Sequence, residues 1–269
     1  MTGAYQNRRR RESAKILSKR PRLNHTSVWA EPGLFFVYDN QGRKSQKIYY
    51  NRSMRLYLAS HNFGPYTDEL LKLVGEGRKA LFIENARDYY PDERRANDLK
   101  EKLGMMSELG FDVEELDLRN YFGKPGELRE FLDSYQPDLI YASGGNVFLL
   151  ATAYHLSGFD EILREDLAKD KYAYGGFSAG TMAICGAIEF YGYGHLVPEV
   201  VSEIYDVDTV SEGVGLVDYQ IVPHADVPKW LEGTKEFISR IESAGLKALP
   251  LNQEAVIIIN GDEQRILGQ

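Results

Sequence analysis

Residues 172–181 have the sequence YAYGGFSAGT, in which an apolar run ends at a G-x-S-x-G pattern over 176–180. The run predicts a β-strand over 172–177, and the spacing after it predicts a helix that begins near Ala179. A serine between a strand and a helix lies on a tight, strained turn that lifts its hydroxyl off the edge of a sheet. Ser178 is therefore the candidate nucleophile, and an ordinary glycine-rich turn is the alternative interpretation.

The same alternation of short apolar runs and helical patterns extends over residues 54–269. It is typical of the α/β class, so we expect a three-layer, doubly wound and mostly parallel sheet with helices on both faces. Strands are predicted at 56–60, 80–83, 113–118, 138–143, 172–177 and 215–222, with a closing hairpin at 255–259 and 264–267. Helices are predicted at 67–74, 92–109, 127–135, 147–156, 159–169, from about 179, and at 230–244, with an irregular stretch over 189–212.

Charge is distributed unevenly along the chain. Residues 1–53 contain 12 Lys and Arg against 3 Asp and Glu, whereas residues 54–269 contain 20 against 37. The basic part has two short apolar runs, at 34–37 and 48–50, but no sustained period, which predicts a mostly disordered extension of the acidic domain. A basic arm that contacts nucleic acid is the alternative, although the acidic domain itself disfavours nucleic-acid binding.

The composition also limits the class of protein. A single cysteine cannot form an internal disulfide, which excludes a secreted disulfide scaffold and a Cys-rich zinc module and favours a reducing, cytoplasmic setting. No run of ~18 apolar residues is present, so we expect no membrane span, and the charged N-terminus shows no secretory signal. The sequence is compatible with a homo-oligomer.

A serine nucleophile needs a base, and the chain has five histidines. His224 follows Pro223 at the carboxyl end of the predicted strand over 215–222, the end of a parallel sheet where functional groups gather. His61 follows the first strand and would reach the same edge. The remaining histidines lie in the basic arm, in a predicted helix and in the irregular stretch: His25, His155 and His195. His224 is the best candidate base, with a structural histidine as the alternative.

Acyl transfer also needs backbone donors for the developing oxyanion. The N–H of Ala179 directly follows the candidate nucleophile and begins a helix. Gly144-Gly145-Asn146 is a second glycine turn at the end of a predicted strand, and it fits the other donor. A phosphate-binding turn or a plain helix entry is the alternative, but neither G-x-G-x-x-G nor G-x-x-x-x-G-K-[ST] is present.

The carboxylate that would orient the histidine is less well defined. We predict Glu254, which precedes the strand over 255–259 and could reach the same sheet edge. The other candidates are acidic residues after the predicted elbow: Glu189, Asp206, Asp208 and Glu212. Asp226 is less favoured as a partner because it is so close to His224 in sequence. We expect Asn146, Tyr193 and His195 to contribute to the substrate pocket.

Three motifs in this order, Gly144-Gly145-Asn146, the 176–180 pattern and Pro223-His224, resemble the peptidase E family. The opening sequence MRLYLAS from Met54 is similar to that family's first strand. These proteins are aspartyl-dipeptidase-like serine peptidases related to cyanophycinase. The resemblance covers residues 54–269 and omits the basic extension.

The resemblance implies a class I glutamine amidotransferase-like, flavodoxin-like fold. It implies Ser178 as the nucleophile, His224 as the general base, and Gly145 with Ala179 as the oxyanion hole. It further implies intracellular action, no metal or organic cofactor, and short peptides with an N-terminal acidic residue as substrates.

The chain departs from the family pattern at two acidic positions. Residues 191–195 (YGYGH) contain no carboxylate where the family carries an aspartate after the helix that follows the serine. Residues 251–254 (LNQE) match the family's later acidic position only loosely. The family pattern therefore does not assign the third triad residue of this chain or its preference for N-terminal aspartate.

The leading hypothesis is a serine hydrolase that cleaves short peptides, including dipeptides with N-terminal Asp, through an acyl-enzyme. An esterase or amidase acting on another small acyl substrate is the nearest alternative, although the acid and oxyanion loop usual in α/β-hydrolases are not clear here. A glutamine amidotransferase would need a cysteine nucleophile, and Cys185 lies inside the helix after the serine. A non-catalytic binding protein on the same fold is the remaining alternative.

Overall fold

The computed structural model describes residues 54–192, 194 and 196–269, and the backbone of two strands nearer the N-terminus. These strands, β1 (Leu34–Tyr38) and β2 (Lys44–Tyr49), pair antiparallel and include most of the two short apolar runs of that region, where no strand was predicted. The rest of residues 1–53 lies outside the described part. The division into an extension over 1–53 and a domain over 54–269 therefore stays a prediction.

A mostly parallel sheet lies at the centre of the described domain. Its strands and those of a smaller sheet are β3 (Arg55–Ala59), β4 (Lys79–Ile83), β5 (Asp112–Glu115), β6 (Leu139–Ala142), β7 (Ala173–Phe177), β8 (Gln220–Val222), β9 (Ala248–Pro250), β10 (Val256–Asn260) and β11 (Glu263–Leu267). The central sheet has the order β11-β10-β3-β7-β6-β4-β5. Neighbours from β3 to β5 are parallel, and β10 runs antiparallel to β3 and β11.

Helices cover both faces of this sheet. They are α1 (Thr67–Val74), α2 (Asp92–Glu108), α3 (Pro125–Tyr135), α4 (Val147–Ser157), α5 (Phe159–Leu167), α6 (Ala179–Met182), α7 (Val200–Tyr205) and α8 (Leu231–Ser243). Short 3₁₀ turns lie at Asn85–Arg87, Leu118–Tyr121, Glu189–Tyr191 and Pro228–Trp230. No helix of the described residues is long and apolar enough to cross a bilayer.

Two hydrophobic cores, one on each face of the sheet, follow from the alternation of side chains along its strands. Leu56 and Leu58 of β3 pack in the larger core with α3, α4 and α5. Tyr57 and Ala59, which point the other way, pack in the smaller core with α1 and α2. The result is the predicted three-layer, doubly wound α/β arrangement.

The prediction of a strand over 215–222 is wrong in extent and in place. Only Gln220–Val222 (β8) is extended, and it pairs with β9 in a separate two-stranded parallel sheet. The reason is local: Val214 N–H and Leu216 N–H donate to Ala183 O and Ile184 O, both at 2.8 Å. These bonds attach the preceding residues to the segment after α6 and keep them off the sheet.

Other boundaries differ by less. The strand predicted over 113–118 ends at Glu115 and gives way to the 3₁₀ turn at Leu118–Tyr121. The helix that follows Ser178 is a single turn, α6. The irregular stretch over 189–212 contains α7, and the predicted helix over 230–244 begins at Leu231 after a 3₁₀ turn.

Candidate active site

Ser178 lies at the carboxyl end of β7, where the chain turns directly into α6. Its φ of 49° and ψ of −108° are a combination that L-residues rarely adopt. Its N–H donates to Ala59 O at 3.2 Å, and its carbonyl oxygen accepts from Met182 N at 2.9 Å. The strained conformation is therefore held by backbone hydrogen bonds to the neighbouring strand and to the first turn of the helix.

The glycines that flank Ser178 allow this turn to pack tightly. A Cβ atom on Gly180 would lie 2.5 Å from the carbonyl oxygen of Ala142, and one on Gly176 would lie 2.8 Å from the carbonyl carbon of Gly180. Real Cβ atoms do not approach backbone so closely. Glycine is thus required at both positions because α6 rests directly on the ends of β6 and β7.

His224 comes to Ser178 from the smaller sheet. Its Nε2 lies 3.1 Å from Ser178 Oγ, a hydrogen-bonding distance. Its backbone has a φ of 63°, and its N–H donates to Ser60 Oγ at 2.8 Å. The next residue is held too, since Ala225 N–H donates to Leu251 O at 2.8 Å. The structure therefore brings together the two residues predicted as nucleophile and base, although they belong to different sheets.

The other ring nitrogen of His224 meets an amide rather than a carboxylate. His224 Nδ1 lies 2.6 Å from Gln253 Oε1. The backbone N–H of Gln253 donates to Asp226 Oδ1, also at 2.6 Å. Sequence reasoning missed Gln253 because a search for a charged partner passes over glutamine.

The structure does not support the prediction of Glu254 as the residue that orients His224. Glu254 is exposed, and its neighbour Gln253 occupies the position at the imidazole ring. The observed position differs from the predicted one by a single residue in the connection between β9 and β10, where the side chain of Gln253 is directed towards His224. Of the other candidate carboxylates, Glu189, Asp206, Asp208, Glu212 and Asp226, none makes an ion pair with His224 among the described residues.

Both histidines at this edge of the sheet have a lowered pKa. For His224, burial lowers the pKa and the contact with Gln253 acts in the opposite direction. For His61, partial burial and the positive charge of Lys102 lower the pKa. The two rings lie 6.0 Å apart between centroids in an edge-on arrangement. A neutral imidazole at neutral pH is the form that can accept a proton, and His224 therefore has the protonation state that a base needs.

The loop after β6 lies against the Ser178 turn. A Cβ atom on Gly144 would lie 2.7 Å from the ring of Phe177 and 3.1 Å from Ser178 Cβ. Gly145 has a φ of 149°, and a Cβ there would lie 2.4 Å from Ala86 O. These glycines let the loop backbone approach the serine and the preceding turn.

Two backbone N–H groups close to the Ser178 turn are the predicted oxyanion donors. Among the described residues, neither the N–H of Gly145 nor the N–H of Ala179 has a hydrogen-bond acceptor. Ala179 is the first residue of α6, so its N–H has no partner within the helix and lies at the positive end of a helical turn. The use of these two N–H groups as an oxyanion hole stays a prediction.

The loop over residues 143–146, called the glycine loop, accepts a hydrogen bond from Arg87, which is itself paired with two carboxylates. Sequence reasoning did not identify this contact. Arg87 Nε donates to Gly144 O at 2.9 Å, and Arg87 Nη1 lies 3.2 Å from both Glu84 Oε1 and Asp98 Oδ2. The Glu84 side chain is fully buried, and burial raises its pKa to about 7 despite the charge of Arg87. The only sequence signal was two opposite charges three residues apart after an apolar strand.

The predicted pocket residues have different outcomes. Asn146 is buried and caps α4: its Oδ1 accepts from Phe148 N at 2.9 Å and Leu149 N at 3.1 Å, and its Nδ2 donates to Val197 O. These bonds give the side chain a structural role at the start of α4, and its contribution to a substrate pocket stays a prediction. Tyr193 and His195 lie outside the described residues.

The single cysteine is not suited to nucleophilic attack. Cys185 is fully buried, and burial raises the pKa of its thiol to about 11. Its Sγ accepts from Ile221 N at 3.3 Å, which links the segment after α6 to β8. The thiolate that an amidotransferase would need is therefore disfavoured.

Sheet order, helix layers and the serine turn define the class as a three-layer α/β protein of the class I glutamine amidotransferase-like type. Within this class, residues 57–267 match the family model described as Peptidase family S51. The chain belongs to this peptidase family.

Comparisons with individual proteins agree with this. The chain is 26% identical over 222 residues to an uncharacterized peptidase of Pasteurella multocida, covering 80% of this chain and 97% of that protein. It is 29% identical over 159 residues to an uncharacterized peptidase of Listeria monocytogenes, covering 59% and 72% of the two chains.

Solved structures show the same fold. A Listeria monocytogenes protein assigned to peptidase E superposes with a TM-score of 0.61 at 23% identity, covering 79% of this chain and 97% of that one. A peptidase from an acI-B1 actinobacterium superposes with a TM-score of 0.59 at 16% identity, covering 82% and 91%.

Proposed function

We propose that this member of Peptidase family S51 is a serine-type peptidase that hydrolyses short peptides through an acyl-enzyme. The observation that carries the proposal is the 3.1 Å contact between His224 Nε2 and Ser178 Oγ, made at a strained turn between a strand and a helix. A hydroxyl becomes a useful nucleophile only when a base can take its proton, and this contact provides that base.

We assign each step of the proposed reaction to a group of the candidate site. Ser178 Oγ attacks the scissile carbonyl carbon while His224 Nε2 takes the hydroxyl proton. The negative charge on the carbonyl oxygen is stabilised by the N–H groups of Gly145 and Ala179. When the intermediate collapses, the C–N bond breaks and His224 returns the proton to the leaving amine. A water molecule then gives a proton to His224 and attacks the ester carbonyl carbon, and the C–O bond breaks as His224 returns that proton to Ser178 Oγ.

We further propose that an N-terminal aspartate is favoured in the substrate. The positive charges of Lys102, Arg87 and Lys229 all lower the pKa of His61, so they act on the same edge of the sheet. Lys229 also acts on His224, lies over the ring of Trp230 at 4.5 Å, and is exposed. Within the described residues Lys229 has no acidic partner, and it can interact with a substrate carboxylate.

The test is the hydrolysis of a panel of dipeptides, from Asp-X to Ala-X and Lys-X, by the wild type and by Ser178→Ala. We expect turnover by the wild type, fastest for Asp-X, and a loss of about 10⁴-fold or more in Ser178→Ala because the nucleophile is gone. The unfolding midpoints of the two proteins should lie close together, because the substitution removes one hydroxyl with a single hydrogen bond and leaves the backbone turn unchanged.

Labelling by a fluorophosphonate and hydrolysis of short acyl esters complete the test. Labelling of the wild type with ester but no peptide hydrolysis would assign an esterase. Equal turnover by Ser178→Ala would reject the serine mechanism. Absence of both labelling and turnover in the wild type would favour a non-catalytic binding protein on the same fold.

A further inference from the structure

The surroundings of the His224 ring define which of its nitrogens carries the hydrogen. Gln253 Oε1, 2.6 Å from Nδ1, is an amide oxygen and can only accept. Nδ1 must therefore donate, which leaves Nε2 with a lone pair directed at Ser178 Oγ, 3.1 Å away. This is the tautomer in which the imidazole can take the proton of the serine.

Gln253 is itself held in place by the loop that carries His224. Asp226 Oδ1 accepts from the backbone N–H of Gln253 at 2.6 Å. On the other side, Leu251 N–H donates to Val222 O and Ala225 N–H donates to Leu251 O, both at 2.8 Å. The segments around His224 and Gln253 are thus joined by three hydrogen bonds that do not involve the amide of the Gln253 side chain.

We propose that Gln253 is the residue that positions His224 for catalysis, with an uncharged amide oxygen in the place where serine hydrolases commonly have a carboxylate. The inference rests on the proposed function, because it assigns a role to a neighbour of the proposed base. Gln253 is a positioning residue: it acts on the substrate only through the orientation and tautomer of the imidazole.

An amide and a carboxylate differ in what they do to the charged imidazole. The carboxylate attracts the imidazolium, whereas the amide offers a hydrogen bond without a full charge. Among the described residues, His61, Lys229 and Asp226 act on the His224 ring through their charges, and Asp226 is the acidic member of these three. Burial lowers the pKa of His224 in these surroundings. The base should consequently stay neutral, and hydrolysis should continue, below the ordinary pH range of histidine.

The experiment compares three variants with the wild type: Gln253→Met, Gln253→Glu and Glu254→Gln. Methionine keeps the length of the side chain and the backbone bond to Asp226 but lacks an amide acceptor. Glutamate keeps an acceptor and adds a charge. Glu254→Gln, one residue along and exposed, is the matched control. Each protein is assayed for kcat and KM on the best dipeptide, and for the rate of fluorophosphonate labelling, from pH 4.5 to 9.

We expect Gln253→Met to lower kcat and the labelling rate about tenfold, the size expected for one lost hydrogen bond, with KM unchanged. We expect Gln253→Glu to retain turnover and to move the acid limb of the pH–rate profile about one unit higher, because a negative charge beside the ring favours its protonated form. Glu254→Gln should match the wild type in rate and profile.

Two results would overturn the proposal: wild-type rates in Gln253→Met, or an unchanged acid limb in Gln253→Glu. A loss in Glu254→Gln alone would return the role to Glu254. These failures differ from a failure of the proposed function, in which the wild type shows no turnover or labelling that depends on Ser178. If Ser178→Ala is inactive while Gln253→Met is fully active, the serine mechanism stands and the positioning role does not.

Discussion

The two sides of the candidate active site are built in different ways. On the serine side, β7, α6 and the glycine loop after β6 meet through backbone contacts so close that glycine is required at Gly176 and Gly180. On the histidine side, His224 follows a two-stranded sheet and is held by side chains, with Ser60 on its backbone N–H and Gln253 on its ring.

This difference predicts how substitutions on each side should affect the stability of the protein. Close-packed backbone cannot move to make room for an added atom, so a single substitution on the serine side should cause a large loss of stability. Hydrogen bonds through side chains can be removed one at a time, so the histidine side should weaken in small steps. Substitutions on both sides test this difference.

The largest effect is expected from Gly180→Ala. The added Cβ would lie 2.5 Å from Ala142 O and 3.0 Å from Ala142 Cβ, both on the rigid central sheet. We expect a loss of about 3 kcal/mol in the free energy of unfolding, together with the loss of hydrolysis, because the Ser178 turn must shift. Urea unfolding and the dipeptide assay measure the two effects.

Gly104→Ala is the matched control for this substitution. Gly104 lies within α2, and a Cβ there would meet nothing within 4 Å. Alanine should therefore stabilise the protein by about 0.5 to 1 kcal/mol through its helix propensity. If Gly180→Ala were as stable as the wild type, the serine side would be no more rigid than the histidine side.

Glu84→Gln should give an effect that depends on pH. Burial raises the pKa of Glu84 from 4.5 to about 7 in the folded protein. Between these values the folded state binds more protons than the unfolded state, so the wild type loses stability as pH rises through 7. Glutamine does not titrate, and the variant should gain up to about 3 kcal/mol relative to the wild type between pH 5 and pH 8.

Urea unfolding of both proteins at pH 5, 6.5 and 8 measures this gain. Every other titrating group is shared by the two proteins, so the difference isolates Glu84. A difference in stability that stays constant with pH would show that the carboxyl beneath the glycine loop is already ionised at pH 5.

The smallest effect is expected from Ser60→Ala, on the histidine side. The substitution leaves the His224 N–H without its acceptor in a buried place and should cost about 1 kcal/mol, with a modest fall in kcat as the ring becomes less well positioned. Ser202→Ala, which removes an exposed hydroxyl bonded to Glu199 O, should change stability by less than about 0.5 kcal/mol. A loss in Ser60→Ala equal to that in Gly180→Ala would remove the distinction between the two sides.

Sequence alone was sufficient for the serine side because its determinants are local. An apolar strand, two glycines around Ser178 and a following helix lie within ten residues, and close packing at those glycines has a visible signature. Alternation of strands and helices also indicated the three layers, since both sheet faces must be covered.

The histidine side depends on contacts between residues far apart in the chain. The short strand over 248–250 was missed because its partner β8 lies far away in the chain, and 215–222 was extended too far because residues 214 and 216 bond to the segment after α6. Gln253 was passed over in favour of Glu254 because a one-residue difference in loop register cannot be seen in composition. Arg87 was missed because its bond to Gly144 O spans 57 residues.

Ser178 and His224 share one further property: both have a positive φ, 49° and 63°. Glycine adopts such angles without strain, so Ser178→Gly should relieve about 1 kcal/mol of strain, whereas His224→Gly would also remove the ring contacts to Ser178 and Gln253. A mutant library selected only for heat resistance would consequently tend to accumulate glycine at position 178. Directed evolution of this peptidase should therefore select for turnover in every round, because selection for stability alone favours loss of the Ser178 hydroxyl.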